Sequence, residues 1–89
     1  MNMKDTLVLW LAGMGIPSEP IFADERVKLE LAQEPPDPRG VMDAIQRASY
    51  SIPEIKREDR ENLFKPQYQL ELLSLVRSGG QEMVLFGEG

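Results

Sequence analysis

Residues 7–14, with the sequence Leu-Val-Leu-Trp-Leu-Ala-Gly-Met, decide how this chain has to fold. The stretch carries no charged side chain, and its one side-chain hydrogen-bonding group is the indole N–H of Trp10. A helix of this sequence is apolar on every side, and a strand is apolar on both faces. Other parts of the chain, or a partner, must therefore cover it all round.

A short buried helix over residues 4–14 is the preferred interpretation of this region, because it is rich in leucine and is followed by Gly15 and Pro17. A central strand over residues 6–11 is the alternative, since Thr, Val, Leu and Trp suit a buried sheet position. The next residues, 15–20, are interpreted as an extended connector on account of their two prolines.

Residues 23–33 show two conflicting patterns. Val27, Leu29 and Leu31 alternate with Lys28 and other non-core residues, which predicts a half-buried strand over residues 26–33. The β element near residues 21–33 is a single strand or a hairpin. Ala, Glu, Lys and Leu favour a helix instead, with the residue at position 24 as its cap. A second strand is predicted over residues 82–86.

The centre of the chain carries the clearest helix signal. Asp37 followed by Pro38 is typical of an N-cap and a first helical position, and predicts a helix over residues 38–51. Ser51 and Glu54 have the spacing of a capping box and predict a new helix from that point. Residues 55–64 are interpreted as an exposed, highly charged helix that returns to the core at residues 63–64. Residues 66–77 form the last predicted helix.

These elements predict one α+β domain over residues 1–89, with three to four short helices and a small β element. A small all-α bundle is the alternative. A chain of 89 residues lies near the lower end of what folds alone, so its core must be modest.

The amino-acid composition excludes several classes of function. The chain contains no cysteine and no histidine, so disulfides, thiol nucleophiles and the usual general base near neutral pH are excluded. We find no phosphate-binding loop, no zinc-protease motif and no nucleophile elbow, and we expect a non-enzymatic protein without cofactor or metal. The net charge of −5 makes direct nucleic-acid binding unfavourable. The basic positions Arg57, Arg60 and Lys65 alternate with acids and are interpreted as a salt-bridged surface.

Surface apolarity points to contact with another protein. Two segments carry more apolar residues than a small monomer easily covers, and no segment is long enough to span a membrane. We expect the Trp10 side of the first segment to stay open, as a half-wet interface. The candidate interface residues are Trp10, Leu11, Met14, Met83, Leu85 and Phe86.

The first functional hypothesis is an adaptor or structural subunit of an oligomer or larger assembly, with a protein partner or a second copy. The second is an inhibitor or immunity-type protein whose carboxylates at Glu25, Glu30, Glu34 and Asp37 cluster on one face and block a basic partner. The third is an accessory subunit of an enzyme complex. A cytoplasmic location fits the lack of cysteine.

The run at residues 15–22, followed by Glu-Pro-Pro-Asp-Pro at residues 34–38, resembles small virion proteins of tailed phages such as tail terminators. The resemblance covers under a third of the chain and contains no diagnostic motif. It implies a phage-encoded protein located in the virion, and it assigns no role to any residue.

Overall fold

The computed structural model describes residues 2–80, and all the regular secondary structure in this part of the chain is helical. Each helix is too short or too polar to cross a lipid bilayer. The helices are α1 (Met3–Gly13), α2 (Ser18–Ala23), α3 (Glu25–Leu31), α4 (Pro38–Ser49), α5 (Arg57–Asn62) and α6 (Pro66–Arg77). The predicted α+β fold is therefore wrong, and the all-α alternative agrees with the described residues. The strand predicted at residues 82–86 lies outside them.

The apolar N-terminal stretch is a helix, as preferred, and the strand alternative is wrong. Helix α1 begins with Asn2, whose side chain accepts a hydrogen bond of 2.8 Å from the backbone N–H of Asp5. It ends where Gly15 adopts a φ of +81°, a conformation that residues with a Cβ rarely adopt. Leu7 and Leu11 are fully buried, so α1 is part of the hydrophobic core.

Helix α2 was not predicted, since its prolines were interpreted as signs of an extended connector. Pro20 lies in the first turn of α2, where the missing N–H would have no partner inside the helix in any case. The helix packs against both α1 and α3, and Ile21 is fully buried between them. This short element supplies a cover for α1 that the sequence analysis left out.

Helix α3 corrects the predicted β element at residues 21–33. Asp24 caps the helix, because its side chain accepts from the backbone N–H groups of Arg26 at 2.8 Å and Val27 at 3.3 Å. Val27 is buried, whereas Leu29 is 65% exposed, so the alternating residues do not share a face. A strand also needs a neighbour to satisfy its backbone, and residues 2–80 contain no other strand. The cap and the helix-forming residues decide the structure.

Helix α4 is the hub of the packing and confirms the helix predicted from Asp37 and Pro38. The Asp37 side chain accepts a hydrogen bond of 3.0 Å from the backbone N–H of Gly40. One face of α4 is buried against α2, α3 and α6. The residues of that buried face are Val41, Ala44, Ile45, Ala48 and Ser49.

The capping box predicted at residues 51–54 does not start a helix. Residues 51–56 form turns, and α5 begins only after Lys56. Ile52 and Ile55 are both buried, which fixes this segment to the core while its polar residues face solvent. Helix α5 is thus six residues long and buries none of its own side chains.

The chain returns to its beginning after α6. The hydroxyl of Thr6 donates a buried hydrogen bond of 3.0 Å to the carbonyl oxygen of Gly80. Gly80 has a φ of +93°, and a Cβ at this position would lie 2.7 Å from the Cα of Met3. Only glycine allows the two backbones to approach this closely, so this contact closes the fold at the N-terminal end of α1.

Candidate functional site

The structure places the N-terminal interface candidates in the core. Trp10 is 3% exposed, and Leu11 and Met14 are buried as well. Helix α1 contacts α2 and α6, and the side that carries Trp10 is buried. The expected half-wet interface at Trp10 is therefore absent from the described structure. The remaining candidates, Met83, Leu85 and Phe86, lie outside the described residues.

The indole of Trp10 leaves one polar group without a partner. Its N–H is buried and meets no acceptor in hydrogen-bonding geometry within residues 2–80. The carboxylate of Glu71, on α6, lies near this N–H group. Burial raises the pKa of Glu71 above its ordinary value, and the nearby indole N–H of Trp10 offsets part of that increase.

A different part of the molecule exposes large apolar side chains next to each other. Tyr50, at the C-terminal end of α4, is 66% exposed, and Phe64, just after α5, is 42% exposed. Their ring centroids lie 6.1 Å apart, and the ring planes are tilted by 49°. This geometry is typical of a favourable aromatic pair. The sequence analysis expected Phe64 in the core, and that expectation is wrong.

The backbone around Phe64 is held in place by a buried neighbour and by hydrogen bonds. Leu63 is buried, and its carbonyl oxygen accepts a hydrogen bond of 3.0 Å from the side-chain amide of Gln46 on α4. The backbone N–H of Phe64 donates to the carbonyl oxygen of Glu61 at 3.0 Å. Because Leu63 occupies the core position, its neighbour Phe64 must face outward, beside Tyr50.

Arg60 holds the tyrosine side of this surface in place. Its guanidinium donates to the carbonyl oxygens of Ser49 at 3.2 Å and Ile55 at 3.3 Å. The guanidinium carbon also lies 5.0 Å from the centroid of the Tyr50 ring, which is within cation–π range. One side chain therefore ties α5 to the end of α4 and supports the exposed ring.

Arg57 remains available at the edge of the rings. Its side chain is 86% exposed, and its Nε lies 3.6 Å from the nearer carboxylate oxygen of Glu61, which is longer than a hydrogen bond. Together these side chains surround an open depression of about 320 Å³. We call this the aromatic–arginine surface, and its residues are Tyr50, Arg57, Arg60, Glu61 and Phe64.

The charge of this region differs from that of the rest of the chain. Residues 56–65 contain four of the ten Lys and Arg residues but three of the fifteen Asp and Glu residues. The aromatic–arginine surface is therefore a locally basic region on an acidic protein. Charge complementarity favours a ligand that brings a carboxylate to it.

A second groove lies between α1 and α2. Lys4 approaches the ring of Phe22, with its Nζ 5.4 Å from the ring centroid, and Val8 and Ala23 line the groove. Its volume is about 410 Å³. The groove is bordered by one cation and by the carboxylate of Glu19, so its charges do not select one kind of ligand.

The described residues contain no group of three or more acidic side chains arranged to hold a metal ion. What the aromatic–arginine surface offers is contact area, a cation and directional N–H donors, which are the means of recognition. Comparison with protein-family models, with curated proteins and with solved structures finds no match to this chain.

The arginines of this site were identified from the sequence, but their position beside two exposed aromatic rings was not predicted. Arg57 and Arg60 were interpreted as part of a salt-bridged surface, and the ion pair of Arg57 with Glu61 fits that view in part. The missing information was the position of Tyr50, which lies at the C-terminal end of α4 and meets Arg60 only in the folded chain. An exposed aromatic residue near each arginine is the signal that would have revealed this site.

Proposed function

We propose that this chain is a non-enzymatic protein-interaction module, an adaptor or structural subunit of a larger assembly, that binds its partner through the aromatic–arginine surface. The observation that carries the proposal is the pair of exposed rings, Tyr50 and Phe64, beside the guanidinium of Arg57, which is 86% exposed and makes only a long ion pair. Tyrosine, phenylalanine and arginine are enriched at protein interfaces, and tyrosine and arginine dominate binding hot spots.

Pre-organisation strengthens this argument. Arg60 fixes the ring of Tyr50, and the buried neighbour Leu63 fixes the backbone of Phe64. Side chains that are already ordered lose little conformational entropy when a partner binds, so more of the contact energy remains as affinity. Neither ring belongs to the hydrophobic core, which favours a role in recognition.

The partner that fits is a protein segment with an aromatic or aliphatic side chain next to an aspartate or glutamate. The apolar side chain would pack on the two rings, and the carboxylate would accept from Arg57. Single-stranded nucleic acid offers stacking bases and phosphates to the same groups. A nucleic acid carries a negative charge at every nucleotide, so the chain's net charge of −5 repels it more strongly than a protein segment with a single carboxylate, and we favour the protein segment.

A selection from displayed random peptides tests the proposal. We expect the wild-type protein to enrich peptides that combine an apolar and an acidic residue. These peptides should bind Tyr50→Ala and Phe64→Ala at least about tenfold more weakly, since hot-spot truncations commonly exceed 1.4 kcal/mol. Circular dichroism checks that both variants keep their helices.

Leu29→Ala is the matched control, because Leu29 is 65% exposed but lies on α3, away from the depression. Its affinity for the selected peptides should equal that of the wild type. Failure to enrich any peptide, or equal loss in the control, would overturn the proposal. Binding of oligothymidylate that depends on Tyr50, without peptide binding, would replace it with nucleic-acid recognition.

An inhibitor that presents an acidic face is the second candidate. The carboxylates of Glu30 and Asp37 both lie beside Gly40, so two of the four acids expected to cluster do come together. Neither belongs to an ion pair within residues 2–80, whereas Glu25 lies 3.6 Å from Lys28. If this candidate is correct, an oligoarginine peptide should bind to the protein. Its affinity should fall as the salt concentration rises, and it should be lower for Glu30→Gln than for the wild type.

A further inference from the structure

The carboxylate of Glu61 lies in the one place where it interferes with the proposed ligand. It lines the same depression as Tyr50 and Phe64, and its oxygen lies 3.6 Å from the Nε of Arg57. Glu61 is the only acidic residue among those that line this depression. A ligand carboxylate that approaches Arg57 therefore meets a carboxylate that already occupies part of the space around the guanidinium.

The ion pair is poorly suited to a structural role. In helices the favourable order places the acid four residues before the base, whereas here Arg57 precedes Glu61. Glu61 also lies in the last turn of α5, where the partial charge of the helix end disfavours an anion. Both side chains are mostly exposed, so water screens the attraction between them.

The pair is also easy to separate. Its 3.6 Å distance exceeds that of a hydrogen bond, and no other group within residues 2–80 pairs with Arg57. Arg60, in contrast, donates to two backbone carbonyl oxygens and is not free to respond. Of the two arginines in the depression, Arg57 is thus the one whose partner can be exchanged.

We propose that Glu61 is an internal competitor that sets the selectivity of the aromatic–arginine surface. It occupies Arg57 in the free protein, and a ligand carboxylate must displace it. A carboxylate alone gains little from this exchange, because one exposed ion pair replaces another. A ligand that also packs on Tyr50 and Phe64 gains enough to bind. This inference rests on the proposed function, since it concerns the same surface.

The test compares Glu61→Gln with Glu58→Gln. The two variants lose the same charge from the same helix, but Glu58 neither lines the depression nor pairs with a base within residues 2–80. The probes are the tightest acidic peptide recovered from the wild-type selection and its copy with Gln and Asn in place of the acids. Affinities are measured by isothermal titration calorimetry in low salt.

We expect Glu61→Gln to bind the acidic peptide about two- to fivefold more tightly than Glu58→Gln, as befits an exposed ion pair. The neutral peptide should bind both variants alike, and the difference should shrink in high salt. Equal affinities of the two variants for the acidic peptide would overturn the role of Glu61 and leave the proposed function standing. If no selected peptide depends on Tyr50 and Phe64, both proposals fail together.

Discussion

The sequence of α1 predicts an open interface, and the sequence of α5 predicts a salt-bridged surface. The structure instead buries Trp10 of α1 and places two exposed aromatic rings beside α5. Helix α1 has the most apolar sequence of the chain, yet Leu7, Trp10 and Leu11 are buried in the core of the protein. Helix α5 is almost entirely charged and buries no side chain, yet it borders the depression beside the two exposed rings of Tyr50 and Phe64. Apolar residues mark a binding surface only where the fold leaves them uncovered. The predictions below test this contrast, beginning with the largest expected effect.

Alanine substitutions in α1 test whether its apolar side chains stabilise the core. Leu11→Ala should lower the free energy of unfolding by about 2–5 kcal/mol, because it leaves a cavity at a fully buried site. Leu9→Ala is the control on the same helix. Leu9 is 48% exposed, so its truncation should cost less than about 1 kcal/mol. Urea denaturation measures both values. Similar losses in the two variants would contradict the burial pattern of α1.

The contact that closes the fold at the start of α1 is tested next. Gly80→Ala should destabilise the protein by about 2–3 kcal/mol, because the new methyl group meets the backbone of Met3 in addition to the strain of a positive φ. Gly79→Ala separates the two causes. Gly79 also has a positive φ, of +69°, but nothing lies within 4 Å of its Cβ position. We expect it to cost about half as much. Thermal unfolding by circular dichroism compares the two.

The two arginines of α5 test the other half of the contrast. Arg60→Gln should lower the free energy of unfolding by about 1 kcal/mol, since it removes hydrogen bonds to the carbonyl oxygens of Ser49 and Ile55. Arg57→Gln removes the same charge but only a weak ion pair, so its stability should change by less than about 0.5 kcal/mol. Urea titrations of both variants decide the matter. An equal loss would mean that Arg57 is structural.

Local signals explain which parts of the fold were predictable. Asp37 and Pro38 act within one turn, so the start of α4 was correctly predicted from the sequence alone. Helix α3 was mistaken for a strand, because alternation at Val27 and Leu29 has meaning only if both residues are buried. Whether they are depends on the packing of distant helices, which no local pattern contains.

The candidate site was beyond prediction for a similar reason. Tyr50 follows α4 and Phe64 follows α5, so the aromatic contact between them exists only when the ends of these two helices have come together in the folded chain. The choice of Leu63 over Phe64 for the core is equally non-local, since both are large and apolar. The side of α1 that carries Trp10 was expected to stay open, but it is buried, and its burial depends on the packing of helices that are distant in the sequence.

The smallest expected effect concerns the polar group that α1 buries. Burial raises the pKa of Glu71, so its folded-state pKa lies above the ordinary value of 4.5. The charged carboxylate therefore reduces stability at neutral pH, and this deficit disappears as the pH falls through the raised pKa toward 4.5 and below. We expect Glu71→Gln to be more stable than the wild type at pH 7, by less than about 1 kcal/mol.

At a pH below 4.5 the two proteins should have the same stability, because both then carry an uncharged group beside the indole. The single tryptophan of the chain reports on this contact directly through its fluorescence in urea titrations. Glu58→Gln serves as the control for the loss of one negative charge at an exposed site. A gain in Glu71→Gln that is no larger than in this control, or that persists at low pH, would show that the carboxylate does not act on the core around Trp10.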